Sequence, residues 1–214
     1  MFSVLFEVHP RADQWDAYLG YARMLRPELE RIDGFVDNIR YGSLTRDGWI
    51  LSLSGWRDEK ALVRWRTQAR HHEVQQQGRD AVMLDYHLRV GQITRDSRLP
   101  PGHELREQRL DETETGEGTT VTLVDGHVDG PDPAARLGLD ESAAGLVRWD
   151  VFDAVLSPGD EILMLCWRDE AAAESYEAGT AVPAGARRRR IRIVRDYGMY
   201  DRREAPQYYP EVTR

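Results

Sequence analysis

Two stretches of the chain, GWILSLSGWRDEKA (48–61) and GDEILMLCWRDEAA (159–172), carry the tetrapeptide WRDE directly after a run of residues typical of a β-strand. A true internal repeat keeps several residues in register, whereas a chance match keeps one. A constant shift of 111 residues relates Gly34 to Gly145, Gly48 to Gly159, Trp56 to Trp167, and Trp65 to the aromatic Tyr176. The sequence therefore predicts two copies of one fold, the second of them diverged.

The composition excludes several classes of protein. A net charge of -8 disfavours binding to a phosphate backbone. The one basic run, ARRRRIRIVR (186–195), is interpreted as a strand with a solvated face, with nucleic-acid binding as the less favoured alternative. The lone Cys166 offers neither a disulfide nor a metal cluster, and no apolar run is long enough for a membrane span. We expect a cytoplasmic protein that binds neither nucleic acid nor membrane.

The first copy, residues 1–96, is predicted to fold in the order βαββαβ. Apolar residues alternate in the first strand and recur every three or four residues from Asp13 to Ile32, which predicts an amphipathic helix. Two strands flank the turn TRDG (45–48), Asp58 caps a second helical region, and residues 85–94 form a last strand.

Residues 97–118 lack sustained apolar periodicity and are predicted to be a linker. The second copy, residues 119–214, follows the same order of elements with a shortened first helix. Its C-terminal stretch is rich in tyrosine, including Tyr208 and Tyr209. We expect this tail either to close over a cavity as a lid or to pack as an arm against a sheet edge or a neighbouring subunit.

A βαββαβ unit forms an antiparallel sheet that carries helices on one face only, so the other face must be covered. Two such units can pack sheet against sheet within one chain. The predicted fold is therefore α+β, with two ferredoxin-like βαββαβ repeats that form an intramolecular dimeric α+β barrel. Cavities are expected between each sheet and its helices.

The first copy resembles the antibiotic biosynthesis monooxygenase family over residues 1–95, and the second copy resembles it in outline. The matching stretches are FSVLFEV, GWILSLSGWRDEKALVRW, HHEVQQQGRDAV and YHLRVGQI. The resemblance implies a small-molecule monooxygenase that oxidises an electron-rich phenolic or polyketide-like substrate with O2 and no cofactor. Haem binding on the same fold is the alternative, and non-catalytic ligand binding is the third option. A homodimer of the tandem barrel is also left open.

Trp65, His71 and His72 match the tryptophan and histidine that family members place on the second helix and the turn after it. A histidine can accept a proton near neutral pH or ligate haem iron, and an indole can stack on a planar substrate. The alternative is a helix end with solvated histidines and a core tryptophan. Haem-degrading relatives resemble this chain here but carry an asparagine on the first strand, where this chain has LFE (5–7).

Alternate residues of a strand share a face, which pairs Asn38 with Arg40, and His87 with Arg89. Such pairs either line a cavity or face water, and Arg40 inside a cavity would suit an anionic or phenolate substrate. In the second copy, Val182 and Pro183 stand at the positions of the two histidines. We therefore expect the functional pocket in the N-terminal half, with His71, His72, Trp65, Asn38 and Arg40 as candidate residues.

Overall fold

The computed structural model describes residues 1–127 and 130–206. The elements of the first half are β1 (Phe2–Pro10), α1 (Trp15–Leu29), β2 (Phe35–Ser43), β3 (Ile50–Trp56), α2 (Glu59–Arg66), α3 (Ala69–Gln77) and β4 (Met83–Asp96). Those of the second half are β5 (Thr120–His127), α4 (Pro133–Arg136), β6 (Leu146–Ala154), β7 (Asp160–Trp167), α5 (Glu170–Gly179) and β8 (Arg187–Gly198). Each helix in these ranges is too short or too polar to cross a bilayer.

The eight strands form one closed antiparallel barrel in the order β1-β3-β2-β6-β7-β5-β8-β4. The helices lie outside the barrel, so the predicted α+β class is confirmed. Two seams join the halves. The long strands β4 and β8 pair along most of their length, whereas β2 meets β6 only over Tyr41–Ser43.

Matching glycines hold each sheet against its helix. Gly34 and Gly145 have φ of 91° and 83°, a region that favours glycine. A Cβ at either position would lie 2.6 Å from Cβ of Ala61 or 2.5 Å from Cβ of Ala172, which is too close for two carbon atoms. Backbone conformation and close packing therefore both require glycine where strand and helix meet.

The WRDE stretches take the same conformation in both halves. Trp56 and Trp167 are almost fully buried at the ends of β3 and β7. Asp58 and Asp169 are the N-caps of the helices that follow, each accepting a hydrogen bond from a backbone N–H in the first turn. The repeated tetrapeptide thus ends a strand and begins a helix in each half.

A buried ionic network lies at one end of the barrel interior. Glu7 on β1 is fully buried, and its carboxylate lies 2.5 Å from Arg46, 2.6 Å from Arg89 and 2.5 Å from Arg148. Burial alone would raise the pKa of Glu7, but the three guanidinium groups outweigh it and lower the pKa to about 2. The interior also contains a large apolar cluster, with Leu5 among its fully buried residues.

The arginines of β8 do not form a solvated face, so that interpretation of ARRRRIRIVR is wrong. The side chains of Arg187, Arg189 and Arg190 are only 16%, 7% and 6% exposed. Arg187 pairs with Asp96 at 2.6 Å and Arg189 with Asp125 at 2.6 Å. These guanidinium groups therefore contact carboxylates from distant segments of the chain and not water.

Residues 97–118 contain no helix or strand. They are nevertheless attached to the barrel: Leu99 and Leu105 pack against its core, and Gln92 on β4 accepts hydrogen bonds from the backbone N–H groups of Gln108 and Arg109. The segment therefore runs along the barrel surface. The division into 1–96, 97–118 and 119–214 stays a prediction.

Candidate active site

A cavity of about 950 Å³ lies between the first sheet and its helices. Its floor is the outer face of β2, β3, β1, β4 and β8, and its roof is formed by α1, α2 and α3. The walls are largely apolar, with Leu25, Leu62 and Val74 among the roof residues. Its volume lies at the upper end of the roughly 300–1,000 Å³ range of small-molecule sites.

The floor consists of two rows of residues that cross five strands in register. They are Arg40, Ser52, Phe6, Leu88 and Tyr197 in one row, and Asn38, Ser54, Val4, Val90 and Arg195 in the other. Neighbouring strands lie about 4.8 Å apart, so each row spans about 19 Å along the sheet. The floor is apolar in the middle and polar at both ends.

The β2 end of the floor holds Asn38 and Arg40, which both line the cavity. Asn38 donates a hydrogen bond to Ser52 Oγ at 3.0 Å. Arg40 lies beside the Tyr18 hydroxyl, whose pKa is raised by burial and partly lowered again by the guanidinium. Within the described part of the chain, the buried Nε of Arg40 has no hydrogen-bond partner. Arg40 also forms a side-chain hydrogen bond with Tyr18, and it contributes a positive charge to this end of the cavity, where an anionic group could pair with it.

Trp65 and His71 form one unit in the roof. Their rings stack with centroids 4.2 Å apart, and His71 Nδ1 lies 2.9 Å from the backbone oxygen of Trp65. A carbonyl oxygen only accepts, so Nδ1 carries the proton and Nε2 has a free lone pair. Burial lowers the pKa of His71 to about 4. His71 is thus neutral at pH 7 and a weak base, contrary to the expectation of a histidine with an ordinary pKa.

His72 also lines the cavity, so both predicted histidines lie at the same site as Trp65, Asn38 and Arg40. His87 and Arg89 share a strand face, as predicted, but that face points into the barrel interior. There His87 Nε2 is paired with Asp196, and Arg89 donates to His87 Nδ1 at 2.8 Å. This second pair belongs to the buried ionic network and does not line the cavity.

Sequence reasoning missed the residues that close the cavity from other segments. Tyr86, Arg195 and Tyr197 lie on β4 and β8, and Arg202 follows β8. Arg195 and Tyr197 alternate along their strand, which is the signal that could have found them.

The chain after β8 is held close to the barrel. The carboxylate of Glu204 accepts hydrogen bonds from Thr113 Oγ1 at 2.7 Å and from the backbone N–H of Asp196 at 2.6 Å. Arg202 and Pro206, on either side of Glu204, line the cavity. Tyr208 and Tyr209 of the expected lid or arm lie outside the described residues.

The corresponding space in the second half is filled. Strand pairing places Trp149 and Val151 where the first half has Asn38 and Arg40, and Leu163 and Leu165 where it has Ser52 and Ser54. These four residues pack in an apolar core with Tyr176, which contacts the ring of Trp167 at 4.9 Å. The roof is also smaller, because α4 has 4 residues and α1 has 15.

Among residues 1–127 and 130–206, no three His, Cys, Asp or Glu side chains are grouped so that they could hold a metal ion. The group best placed to bind a metal-containing cofactor is His71, through its unprotonated Nε2.

The chain is similar over its whole length to a named relative. It is 52% identical to the jasmonate monooxygenase ABM of Pyricularia oryzae, in an alignment of 223 positions that covers 100% of both chains. No family model matches the chain.

Two solved structures are more distant. One is a protein from Lactobacillus acidophilus provisionally assigned as a monooxygenase, with 7% identity, a TM-score of 0.40 and coverage of 91% of this chain and 94% of that one. The other is an anthrone oxidase-like protein, with 10% identity, a TM-score of 0.34 and coverage of 96% of both chains.

An α+β barrel with an apolar, ligand-sized cavity on its helical side defines a protein that takes up a small molecule. Full-length similarity to a named monooxygenase makes it an enzyme of the oxidoreductase class, with monooxygenase activity. The chain belongs to the antibiotic biosynthesis monooxygenase family.

Proposed function

We propose that this enzyme uses O2 to oxidise a small amphipathic acid of the jasmonate type, bound in the cavity of the N-terminal half. The observation that carries the proposal is Arg40, a guanidinium whose buried Nε lacks a partner among the described residues and which faces an apolar cavity of about 950 Å³. A carboxylate would pair with Arg40 while its hydrocarbon part packs on Phe6 and Leu88. The name of the Pyricularia oryzae relative supports this substrate class.

The reaction requires a source of electrons. When one oxygen atom of O2 enters the substrate, the other becomes water and consumes two electrons and two protons. A CH2 group that is oxidised to a ketone supplies both from itself, as in an electron-rich polyketide-like substrate. Hydroxylation of a carbon atom needs a separate reductant. We propose that no resident cofactor takes part, and that a reductant, where one is needed, arrives as a second substrate.

The chain's own residues bind and orient the substrate. Arg40 and Asn38 fix its polar end, the apolar walls exclude water, and His71 Nε2 accepts a hydrogen bond from a hydroxyl or an acidic C–H group. His71 is too weak a base to deprotonate a phenol completely, because its pKa of about 4 lies far below the phenol value of about 10. It therefore acts as an acceptor within the transition state.

The test is oxygen consumption by the purified enzyme with jasmonate, with and without a reductant, and mass spectrometry of the product. Incorporation of one labelled atom from ¹⁸O2 is expected with wild type and not with Arg40→Gln. An electron-rich phenol or anthrone-like quinol is the parallel substrate arm, because a phenolate would also pair with Arg40. Oxidation of the quinol but not of jasmonate would assign the phenolic or polyketide-like class.

Haem is the second candidate, favoured by the unprotonated His71 Nε2 at the cavity wall. His71 would ligate the iron, and haem would then supply oxygen activation. The first strand presents Phe6 to the cavity, and none of its positions 5–7 is the asparagine found in haem-degrading relatives. A Soret band on addition of haemin, lost in His71→Ala but kept in His103→Ala, would favour haem over the cofactor-free route.

We also propose that the two halves are diverged copies of one ferredoxin-like unit, so that one chain forms what two chains form in an ordinary dimeric barrel. The matched glycines, caps and strand register support this. Superposition of residues 1–96 on 119–195 in a crystal structure tests it: Gly34 must fall on Gly145 and Trp56 on Trp167. Light scattering would show whether the tandem barrel associates further into a homodimer.

A further inference from the structure

The end of the cavity opposite Arg40 is strongly cationic. Arg66 of α2, Arg195 of β8 and Arg202 all line it, and we call these three residues the arginine cluster. All three lie near the Tyr197 hydroxyl: burial raises the pKa of Tyr197 to about 12, and the three guanidinium groups oppose that rise. Three segments of the chain thus place positive charge around one buried hydroxyl group.

The arginine cluster is short of counter-charges. Within the described residues, neither Arg66 nor Arg195 forms an ion pair with a carboxylate. Arg202 donates to the Tyr86 hydroxyl and to the backbone oxygen of Gly198, and neither acceptor is a carboxylate. The pKa of Asp111 is lowered by its hydrogen bond to Arg109 and, to a smaller extent, by the charge of Arg195. Asp111 is therefore already paired with Arg109. Holding unpaired guanidinium groups together in a partly apolar cavity costs free energy, which an anionic ligand would offset.

The position in the second half that is equivalent to the arginine cluster holds an ion pair. Strand pairing places Arg95 in the second half where Arg195 stands in the first, since Arg95 lies opposite Arg190 as Arg195 lies opposite Val90. Arg95 has a carboxylate partner, Glu177 of α5, at 3.6 Å. The residue of α2 that corresponds to Glu177, by the shift that relates Trp65 to Tyr176, is Arg66. An ion pair in one half is thus replaced by two cations in the other.

We propose that the arginine cluster is a second anion site, which binds a carboxylate or phosphate group about 19 Å along the sheet from the substrate carboxylate at Arg40. The position of the substrate carboxylate at Arg40 is the one part of this inference that rests on the proposed function. The anionic group belongs either to the far end of a long substrate with two acidic groups or to an anionic nucleotide reductant. Such a reductant would deliver the two electrons that hydroxylation with O2 consumes.

The experiment is calorimetric titration of the full chain with inorganic phosphate. We expect saturable binding to wild type that weakens at least about tenfold in Arg66→Glu, which recreates the charge pattern of the second half, and in Arg195→Gln. The matched control is Lys60→Glu, an exposed residue on the same helix with the same change of charge. Absence of binding to wild type, or unchanged binding to a folded Arg66→Glu, would overturn the proposal.

Jasmonate binding to the same variants separates this inference from the proposed function. We expect Arg40→Gln to lose jasmonate but keep phosphate, and Arg195→Gln to do the reverse. Failure of jasmonate to bind while phosphate binds would remove only the proposed function. Displacement of phosphate by an anionic nucleotide, with jasmonate still bound, identifies the second anion as part of a separate reductant. Displacement of both ligands by one long dicarboxylic acid identifies it as the far end of the substrate.

Discussion

The two halves of the barrel differ on the face where the helices cover the sheet. They are alike at the turns where a strand ends and the next helix begins. The N-terminal half has polar residues at the ends of its floor and an empty space above them, whereas the C-terminal half has Trp149, Val151, Leu163 and Leu165 at the same positions under a shorter roof. The glycines and aspartate caps are the same in both. We infer that the shared residues serve folding and that the residues that differ serve the proposed ligand binding.

The filled half also explains how the open half remains stable. An apolar cavity forfeits packing, and partly buried arginines cost solvation free energy. Both halves contribute strands to one closed barrel. The well-packed C-terminal half and the apolar cluster of the barrel interior therefore support the N-terminal sheet, whose outer face is left partly unpacked. The half with the cavity can thus keep an unfavourable surface that would destabilise a free-standing domain of about 100 residues.

Exchanging the residues at one matched position should give the largest effect. Val151→Arg places a charge in the apolar core of the second half, and we expect it to lower the free energy of unfolding by more than about 5 kcal/mol. The converse change, Arg40→Val, should leave stability unchanged or slightly higher and lower substrate binding about 100-fold. Urea denaturation and calorimetry measure the two outcomes. Similar losses of stability in both variants would mean that Arg40 is structural.

Substitutions at two matched aromatic positions should affect stability and activity separately. Tyr176 packs on Trp167 and donates to the backbone oxygen of Gly138 at 2.7 Å, so Tyr176→Ala should cost about 3–4 kcal/mol and leave substrate binding intact. Trp65→Ala should lower the free energy of unfolding by only about 1–2 kcal/mol, because the Trp65 ring borders the cavity and so lacks packing contacts there. The same substitution should reduce turnover strongly. Loss of activity in a folded Tyr176→Ala variant would place the site in the other half.

The sequence predicted most of the architecture because local signals are sufficient for it. Periodicity located the strands and helices, Asp58 and Asp169 marked helix starts, and the shift of 111 residues predicted the repeat. Pro27 is a residue type that breaks helices, yet it lies inside the continuous helix Trp15–Leu29. Tertiary packing thus overrides a local helix-breaking signal there.

The buried charges could not be predicted in the same way. A strand that alternates arginine with isoleucine looks identical whether its polar face meets water or carboxylates, and the partners of Arg187 and Arg189 lie 91 and 64 residues away. Glu7 likewise depends on arginines from β4 and β6 and from the turn after β2. Only the folded register reveals such contacts, and the same is true of the arginine cluster.

The buried histidine should make the open half sensitive to acid. The pKa of His71 is lowered to about 4 from an ordinary 6.5, so the unfolded chain takes up the proton first as pH falls. Stability due to neutral His71 is therefore complete above about pH 6.5 and is lost towards pH 4, by at most about 3 kcal/mol. Glu7, with a pKa of about 2, loses its contribution only below about pH 4.5.

His71→Val is the matched variant, because the second half carries Val182 at this position. Its stability should vary less between about pH 6.5 and pH 4 than that of wild type, while the decline below about pH 4.5 due to Glu7 remains. Chemical denaturation across this range measures both. An unchanged slope between pH 6.5 and 4 would show that His71 is not the titrating group.

One further effect should be equal in the two halves, and it tests their likeness instead of their difference. Gly34→Ala and Gly145→Ala each place a side chain at positive φ and within 2.6 Å or 2.5 Å of an alanine Cβ on the following helix. Each should cost about 2 kcal/mol, and the double variant about twice that, since the sites are separate. Denaturation of the three variants measures this. If Gly34→Ala were tolerated and Gly145→Ala were not, the loosely packed roof over the cavity would be able to move away from its sheet. The open half would then keep the glycine only as an inherited feature.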